Sequence, residues 1–137
     1  EIRTVRDPET RVRVVEERSN FDQNPEACLQ ENAEAIDALK EKIVTAQNLL
    51  SQVKISFELR VKISQVCGSL DVDGLRGDIV TNRAAKAYAA YNGRDEVTIE
   101  DIEKIIVLCL RHRLRKDPLE SIDSGDKVNN IFDEVFK

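Results

Sequence analysis

Apolar residues recur at steps of three and four along most of the chain, which is the spacing of one face of an α-helix. The longest such run lies between Pro25 and Leu50, with Glu and Lys on its other side and room for one break. Short connections join several of the later stripes, so their helices should pack as neighbours. The pattern predicts an all-α fold, a helical bundle with a long connecting helix, whose further helices lie at 57–70, 75–92, 98–117 and 127–137.

Helix start signals support this assignment. Asp7 and Asn24 each stand before a proline, a pairing typical of an N-cap followed by the first helical residue. Ser56 is a further N-cap candidate, and Thr98 with Asp101 resembles a capping box. The first helix is expected to end near residue 20, and the stretch "NFDQNP" (20–25) is predicted to be a loop.

Two short stretches have strand character instead. The opening "EIRTV" alternates apolar and polar residues, and "QVKIS" (52–56) does so less clearly. A lone strand needs a sheet to pair with, and the chain contains no methionine. We therefore expect a short residual N-terminal strand at 2–5, and we interpret the chain as a piece of a larger protein whose sheet lies elsewhere.

Composition excludes several classes of function. The net charge is −5, which disfavours general binding to nucleic acid, because affinity for phosphate backbones depends on clustered Lys and Arg. No apolar run is long enough to span a membrane. The three cysteines, Cys28, Cys67 and Cys109, are widely spaced among apolar residues, so we interpret them as small buried hydrophobes.

Catalytic and metal-binding motifs are missing. The chain contains no GxxxxGK[ST] phosphate loop, no HExxH and no Cys/His pairing with metal-ligand spacing. Its one histidine, His112, lies in a basic helix end, where a cation complements the negative end of the helix dipole. We therefore expect no catalytic residue and no metal site in this chain.

Arg76 is the residue that the helical pattern does not explain. It stands in the first turn of the helix that follows "DVDG", and that end of a helix carries partial positive charge. One interpretation is a surface ion pair with Asp73 or Asp78, worth about 0–1 kcal/mol. The other is that its guanidinium reaches a bound anion, together with the free N–H groups of the helix end.

Several long strings resemble a known family. "FELRVKISQVC", "DVDGLRGDIVTNRAAKAYAA" and "LCLRHRLRKDPL" are similar to the C-terminal part of the ATPase subunit I of magnesium chelatases, which are AAA+ proteins of chlorophyll biosynthesis. "RTVRDPETRVRVVEERSNFDQNP" resembles the segment that leaves the AAA+ core. The resemblance covers essentially the whole chain and is strongest to the cyanobacterial or plastid form.

The resemblance implies a role for two arginines. In AAA+ proteins a helix of the lid domain begins with the sensor-2 arginine, which contacts the γ-phosphate of ATP, and "GLRGD" places Arg76 in that position. Arg83 is a weaker candidate, for a contact between subunits. The family's Walker motifs, first sensor and arginine finger would lie before Glu1, so the chain alone is expected neither to hydrolyse ATP nor to bind it tightly.

The same resemblance implies domains, partners and location. Residues 1–24 would be the last strand and helix of the AAA+ core plus a linker, 25–118 the helical lid, and 119–137 a C-terminal helix. The parent protein would use ATP and Mg²⁺, form a ring with its own copies, and act with the other chelatase subunits to insert Mg²⁺ into protoporphyrin IX. It would work in a cyanobacterial cytoplasm or a plastid stroma.

Two other functions are compatible with an all-α chain. A stand-alone interaction module would bind a partner protein through an exposed apolar stripe, for which the terminal helix at 128–136 is the candidate. A histone-like DNA binder would use the long central helices, but the acidic balance of the chain disfavours it.

Overall fold

The computed structural model of the chain describes residues 4–114 and 123–137. The regular structure of these residues is helical, which confirms the predicted all-α class. Seven α-helices and one 3₁₀ turn, Arg111–Arg113, are present in the described part. The helices are α1 (Pro8–Gln23), α2 (Pro25–Glu31), α3 (Ala33–Leu50), α4 (Phe57–Ser69), α5 (Arg76–Tyr91), α6 (Ile99–Leu110) and α7 (Ser124–Phe136).

The described residues fall into two compact units, divided between Glu41 and Lys42. In the first unit the predicted caps are present: the Asp7 carboxylate accepts from the Thr10 N–H at 2.8 Å. The loop expected at 20–25 is wrong, because α1 continues to Gln23. Asn24 alone separates α1 from α2, since its N–H donates to the carbonyl of Asn20 while its side chain caps α2.

The two predicted strand stretches have different outcomes. The expected N-terminal strand falls partly on residues 1–3, outside the described residues, and Thr4 and Val5 have no regular structure. In the 52–56 stretch only Lys54 pairs, in a single parallel bridge with Glu96. The Lys54 N–H donates to the carbonyl of Asp95 at 2.8 Å, and the Val97 N–H donates back to Lys54 at 3.0 Å. The alternating pattern of residues 52–56 therefore suggested a strand, whereas this stretch forms only the single bridge at Lys54.

The second unit is a helical bundle. α5 packs against both α4 and α6, and α7 packs against α4 and α6 as well. Residues Ala46 and Leu49, in the last turns of α3, are half-buried against the same core. The buried apolar side chains come from every helix from α4 to α7 and from the Lys54 bridge region: Val53, Ile63, Val66, Cys67, Leu70, Ala85, Ala89, Ala90, Val97, Ile102, Ile105, Ile106, Cys109, Leu110, Val128, Phe132 and Phe136.

The terminal helix α7 is part of this core. Val128, Phe132 and Phe136 are buried, and the two phenyl rings stack with their centroids 4.4 Å apart. The stripe that the interaction-module interpretation left free for a partner is thus covered within the chain. The amphipathic pattern identifies the buried face of α7, but it does not show that α4 and α6 cover that face.

Candidate functional site

The first turn of α5 is reached through a tight turn. Asp71 and Gly74 both have positive φ, 52° and 63°, a region in which glycine is far less restricted than other residues. Leu75 occupies the N-cap position and makes no side-chain hydrogen bond to the helix end. The start of α5 therefore lacks the usual cap from its own segment, so N–H groups there remain available to an acceptor from outside.

Gly77 brings this turn close to the core. It is buried, and a β-carbon at that position would lie 2.9 Å from Val72 Cγ1 and 3.2 Å from both Cys67 Sγ and Leu110 Cδ2. These three side chains belong to the preceding turn, to α4 and to α6. Only glycine lets the backbone of α5 approach all three at once, so the residue next to Arg76 is tightly confined.

Arg76 itself points away from the core. Its side chain is exposed, and within residues 4–114 and 123–137 it has no hydrogen bond or ion pair. The carboxylate of Asp78 instead accepts a hydrogen bond from Ser64 Oγ on α4. The surface ion pair considered for Arg76 is therefore not formed in the described part of the chain. A guanidinium is left at an open helix N-terminus.

Arg83 lies on the same face of α5 as Arg76. Seven residues correspond to almost two full turns, which places the two Cα positions about 10 Å apart along the helix axis. Arg83 is exposed and, among the described residues, has no hydrogen bond or ion pair. Ile79, between them on this surface, is 47% exposed. The face combines two free cations with accessible apolar surface.

The other end of α5 is fixed by an ion pair. Arg94, just past the helix, makes a two-pronged contact with the buried carboxylate of Asp101, and one prong spans 2.7 Å between Nη1 and Oδ2. Asp101 also accepts the N–H of Thr98 at 2.9 Å, which completes the predicted capping box of α6. The sequence showed the box but gave no sign that Arg94 joins it.

The cysteines behave as expected of buried apolar groups. Cys67 and Cys109 are buried, and Cys28 is half-buried. Burial, and then the nearby charge of Asp78, raises the pKa of Cys67 to about 12. Burial also raises the pKa of Cys109. Little thiolate is present at neutral pH, so neither is poised as a nucleophile. His112 is exposed in the 3₁₀ turn.

Residues 60–131 match the family model described as "AAA lid domain". That match covers more than half of the chain and includes all of α5. The chain belongs to the AAA lid domain family. The AAA lid assignment agrees with the helical bundle found in Lys42–Lys137.

Relatives extend the comparison to the whole chain. The lid-containing chain is 64% identical over 137 residues to "Magnesium-chelatase subunit ChlI" of Pyropia yezoensis, covering 100% of this chain and 39% of that protein. Proteins of the same name are 67% identical in Olisthodiscus luteus, over 98% of the chain and 40% of the relative, and 65% identical in Synechocystis sp., over 99% and 38%. The chain thus spans about two fifths of the length of these curated relatives.

In the part of the chain that the structure describes, no helix is both long and apolar enough to cross a bilayer. The same residues contain no group of three His, Cys, Asp or Glu side chains arranged to hold a metal ion.

Proposed function

We propose that this chain is the lid segment of the ATPase subunit I of a magnesium chelatase. The parent protein would couple ATP hydrolysis to insertion of Mg²⁺ into protoporphyrin IX in chlorophyll biosynthesis. The proposal is supported by 60–67% identity to proteins named as magnesium-chelatase subunits, across nearly the whole chain. Those relatives come from cyanobacteria and from plastid-bearing organisms, and we accordingly propose a cyanobacterial cytoplasm or a plastid stroma as the location.

One observation carries the site assignment. Arg76 is exposed and has no partner among the described residues, although it lies at the helix end where a cation is least favourable. A phosphate would reverse that penalty, because the guanidinium and the N–H groups of the first turn both favour an anion. We propose that Arg76 acts as sensor 2 and contacts the γ-phosphate of ATP bound to the parent protein.

The residues present fit a terminal phosphate and not a complete nucleotide. Arg76 supplies donors in a fork that matches two phosphate oxygens, and the uncapped start of α5 adds backbone donors. We assign no adenine contact and no Mg²⁺ ligand to this chain. ATP and Mg²⁺ are therefore proposed as cofactors of the parent protein, and catalysis of hydrolysis is assigned to residues outside the chain.

Arg83 is proposed to contact a neighbouring subunit. It shares the exposed face of α5 with Arg76, but the rise of the helix places it about 10 Å farther from the helix start. Arg83 is exposed on this face, so its guanidinium is accessible to a second copy of the protein. The partners proposed are other copies of the parent protein in a ring and the remaining magnesium-chelatase subunits.

The proposal is tested by Arg76→Ala in the full-length subunit. A charge-assisted hydrogen bond is worth about 1.5–3 kcal/mol, so the rate of ATP hydrolysis should fall about 10- to 150-fold. Arg76→Lys should recover only part of the rate, because an ammonium group does not present the guanidinium fork. Phosphate release at saturating ATP measures the effect.

Arg60→Ala is the matched control, since Arg60 is an exposed arginine on the neighbouring helix α4. Its rate should stay within about twofold of the unmodified protein, as expected for a surface substitution. Thermal unfolding of Arg76→Ala should be unchanged or slightly raised, because the substitution removes a cation from the positive end of the α5 dipole. An Arg76→Ala protein that hydrolyses ATP at the normal rate would contradict the sensor role.

A further inference from the structure

We infer that Ser64 and Asp78 are positioning residues for Arg76: their hydrogen bond holds the first turn of α5 against α4 and so fixes the direction in which the Arg76 side chain leaves the helix. This inference rests on the proposed function, because it concerns how Arg76 is presented to a phosphate. It assigns a purpose to a pair of polar side chains that packing of the core does not require.

The first turn of α5 needs such a hold. Gly74, at φ 63°, precedes it, and Leu75 provides no side-chain cap. A helix start without a cap frays more readily than one whose first N–H groups are bound. An arginine at the first position of a frayed turn would sample many directions, and a charge-assisted contact with a phosphate would then cost more ordering entropy.

The Ser64–Asp78 contact supplies the hold from another helix. Ser64 Oγ donates to the Asp78 carboxylate across the α4–α5 interface. Cys67, one turn further along α4, also lies close enough for the charge of Asp78 to influence its thiol. Residues 64 and 67 lie on one side of α4 because they are three apart. Asp78 therefore faces the Ser64 hydroxyl and the Cys67 thiol on one side of α4.

Helix geometry links the direction of Asp78 to that of Arg76. At 3.6 residues per turn, side chains two positions apart leave the helix axis about 200° apart. When Asp78 is turned towards α4, Arg76 must point to the opposite side, and the structure shows it exposed there. Rotation of the first turn that freed Asp78 would move Arg76 by the same angle.

Packing at Gly77 and the Ser64–Asp78 hydrogen bond restrict different movements of this turn. Its Cα lies against Val72, Cys67 and Leu110, leaving no room for a β-carbon. Close backbone packing limits translation of the turn towards the core, whereas the Ser64–Asp78 hydrogen bond opposes rotation about the helix axis. Because Ser64 is exposed, loss of its hydroxyl should loosen the turn without unfolding the bundle.

The test is a double-mutant cycle in the full-length subunit. Ser64→Ala, Arg76→Ala and the double variant are compared by kcat and KM for ATP hydrolysis. We expect Ser64→Ala to lower kcat/KM about fivefold when Arg76 is present, and by less than about twofold when Arg76 is already alanine. The division of the loss between kcat and KM should be the same as for Arg76→Ala, at smaller amplitude.

Conservative and control variants separate positioning from stability. Ser64→Thr keeps the hydroxyl and should restore most of the loss seen in Ser64→Ala. Ser69→Ala removes an exposed serine from the end of the same helix and should leave the rate unchanged. Asp78→Asn keeps an acceptor oxygen and should fall between Ser64→Ala and the unmodified protein. Thermal unfolding of the four single variants should agree within a few degrees.

The outcomes distinguish the inference from the proposal beneath it. A normal rate for Ser64→Ala, or an equal loss in both Arg76 backgrounds, overturns the positioning role while an impaired Arg76→Ala keeps the sensor role standing. A normal rate for Arg76→Ala overturns the sensor role, and the inference falls with it.

Discussion

At the scale of the residue, Asp101 shows how the bundle holds a buried charge. Its side chain is only 1% exposed. Burial alone would raise the pKa of Asp101, but hydrogen bonds from Arg94 and Thr98 hold that pKa below its ordinary value of 3.8. Because the pKa of Asp101 is lower in the folded chain, ionised Asp101 stabilises the fold at any pH above its ordinary pKa. This stabilisation is lost as pH falls through the folded pKa.

Arg94→Ala should therefore lower the free energy of unfolding at pH 7 by about 1–3 kcal/mol, because it leaves a buried carboxylate without its charged partner. Urea denaturation of the chain measures the change. As the pH is lowered from 7 towards 3, the difference between the variant and the unmodified chain should narrow, because protonation of Asp101 removes the charge that needs Arg94.

Lys137→Ala is the control for this experiment, since Lys137 pairs with Glu103 and Asp133 on the surface. Solvent screens such pairs, and the loss should be smaller than for Arg94→Ala. Equal effects of the two substitutions at pH 7, or a difference that does not change with pH, would contradict the role given to Asp101.

At the scale of the element, the first turn of α5 depends on the absence of a side chain at Gly77. Alanine normally stabilises a helix relative to glycine by about 0.5–1 kcal/mol. At Gly77 the added carbon would lie 2.9 Å from Val72 Cγ1, so the turn or its neighbours must move. Position 68 offers the opposite case, since none of the described residues has an atom within 4 Å of a β-carbon there.

Gly77→Ala should thus lower the free energy of unfolding, by about 1–3 kcal/mol for an overpacked site. Gly68→Ala, in the helix α4, should raise it by about 0.5–1 kcal/mol. Both changes are measured by chemical denaturation of the same chain. If the two substitutions shift stability in the same direction, the close packing described for Gly77 is not what governs that position.

The helices and most of their caps could be predicted because those signals are local. The Asp7–Thr10 cap and the Thr98–Asp101 box each join residues three apart, and such spacing is visible in a sequence. The continuation of α1 to Gln23 was missed because Asn24 serves as the end of one helix and the cap of the next. The Asn-Pro signal marks a break between helices but does not show how many residues the break contains.

Contacts between helices could not be predicted in the same way. Ser64 and Asp78 are 14 residues apart, and Arg94 reaches Asp101 from beyond the end of α5. A stripe shows that a face is apolar, but the partner that covers it depends on the fold as a whole, as α7 illustrates. Arg76 could be singled out in the sequence because a cation is unusual in the first turn of a helix. The sequence contains no comparable sign that Ser64 contacts Asp78 beside it.

At the scale of the whole molecule, the chain is a lid, and we propose that the nucleotide it contacts is bound by another part of the parent protein. Its residues 60–131 match the AAA lid domain, and the chain covers 38–40% of the length of its chelatase relatives. The described residues present one open helix N-terminus with a free arginine on α5. Coupling between lid and nucleotide would then pass through that arginine and the turn that carries it.

The most direct test is a structure of the full-length subunit ring with a non-hydrolysable ATP analogue. The distance from the Arg76 guanidinium to the nearest γ-phosphate oxygen is the quantity to measure. We expect about 2.7–2.9 Å, the usual length of a charge-assisted hydrogen bond. An Arg76 side chain directed into bulk solvent, with every nucleotide in the ring beyond its reach, would contradict the account.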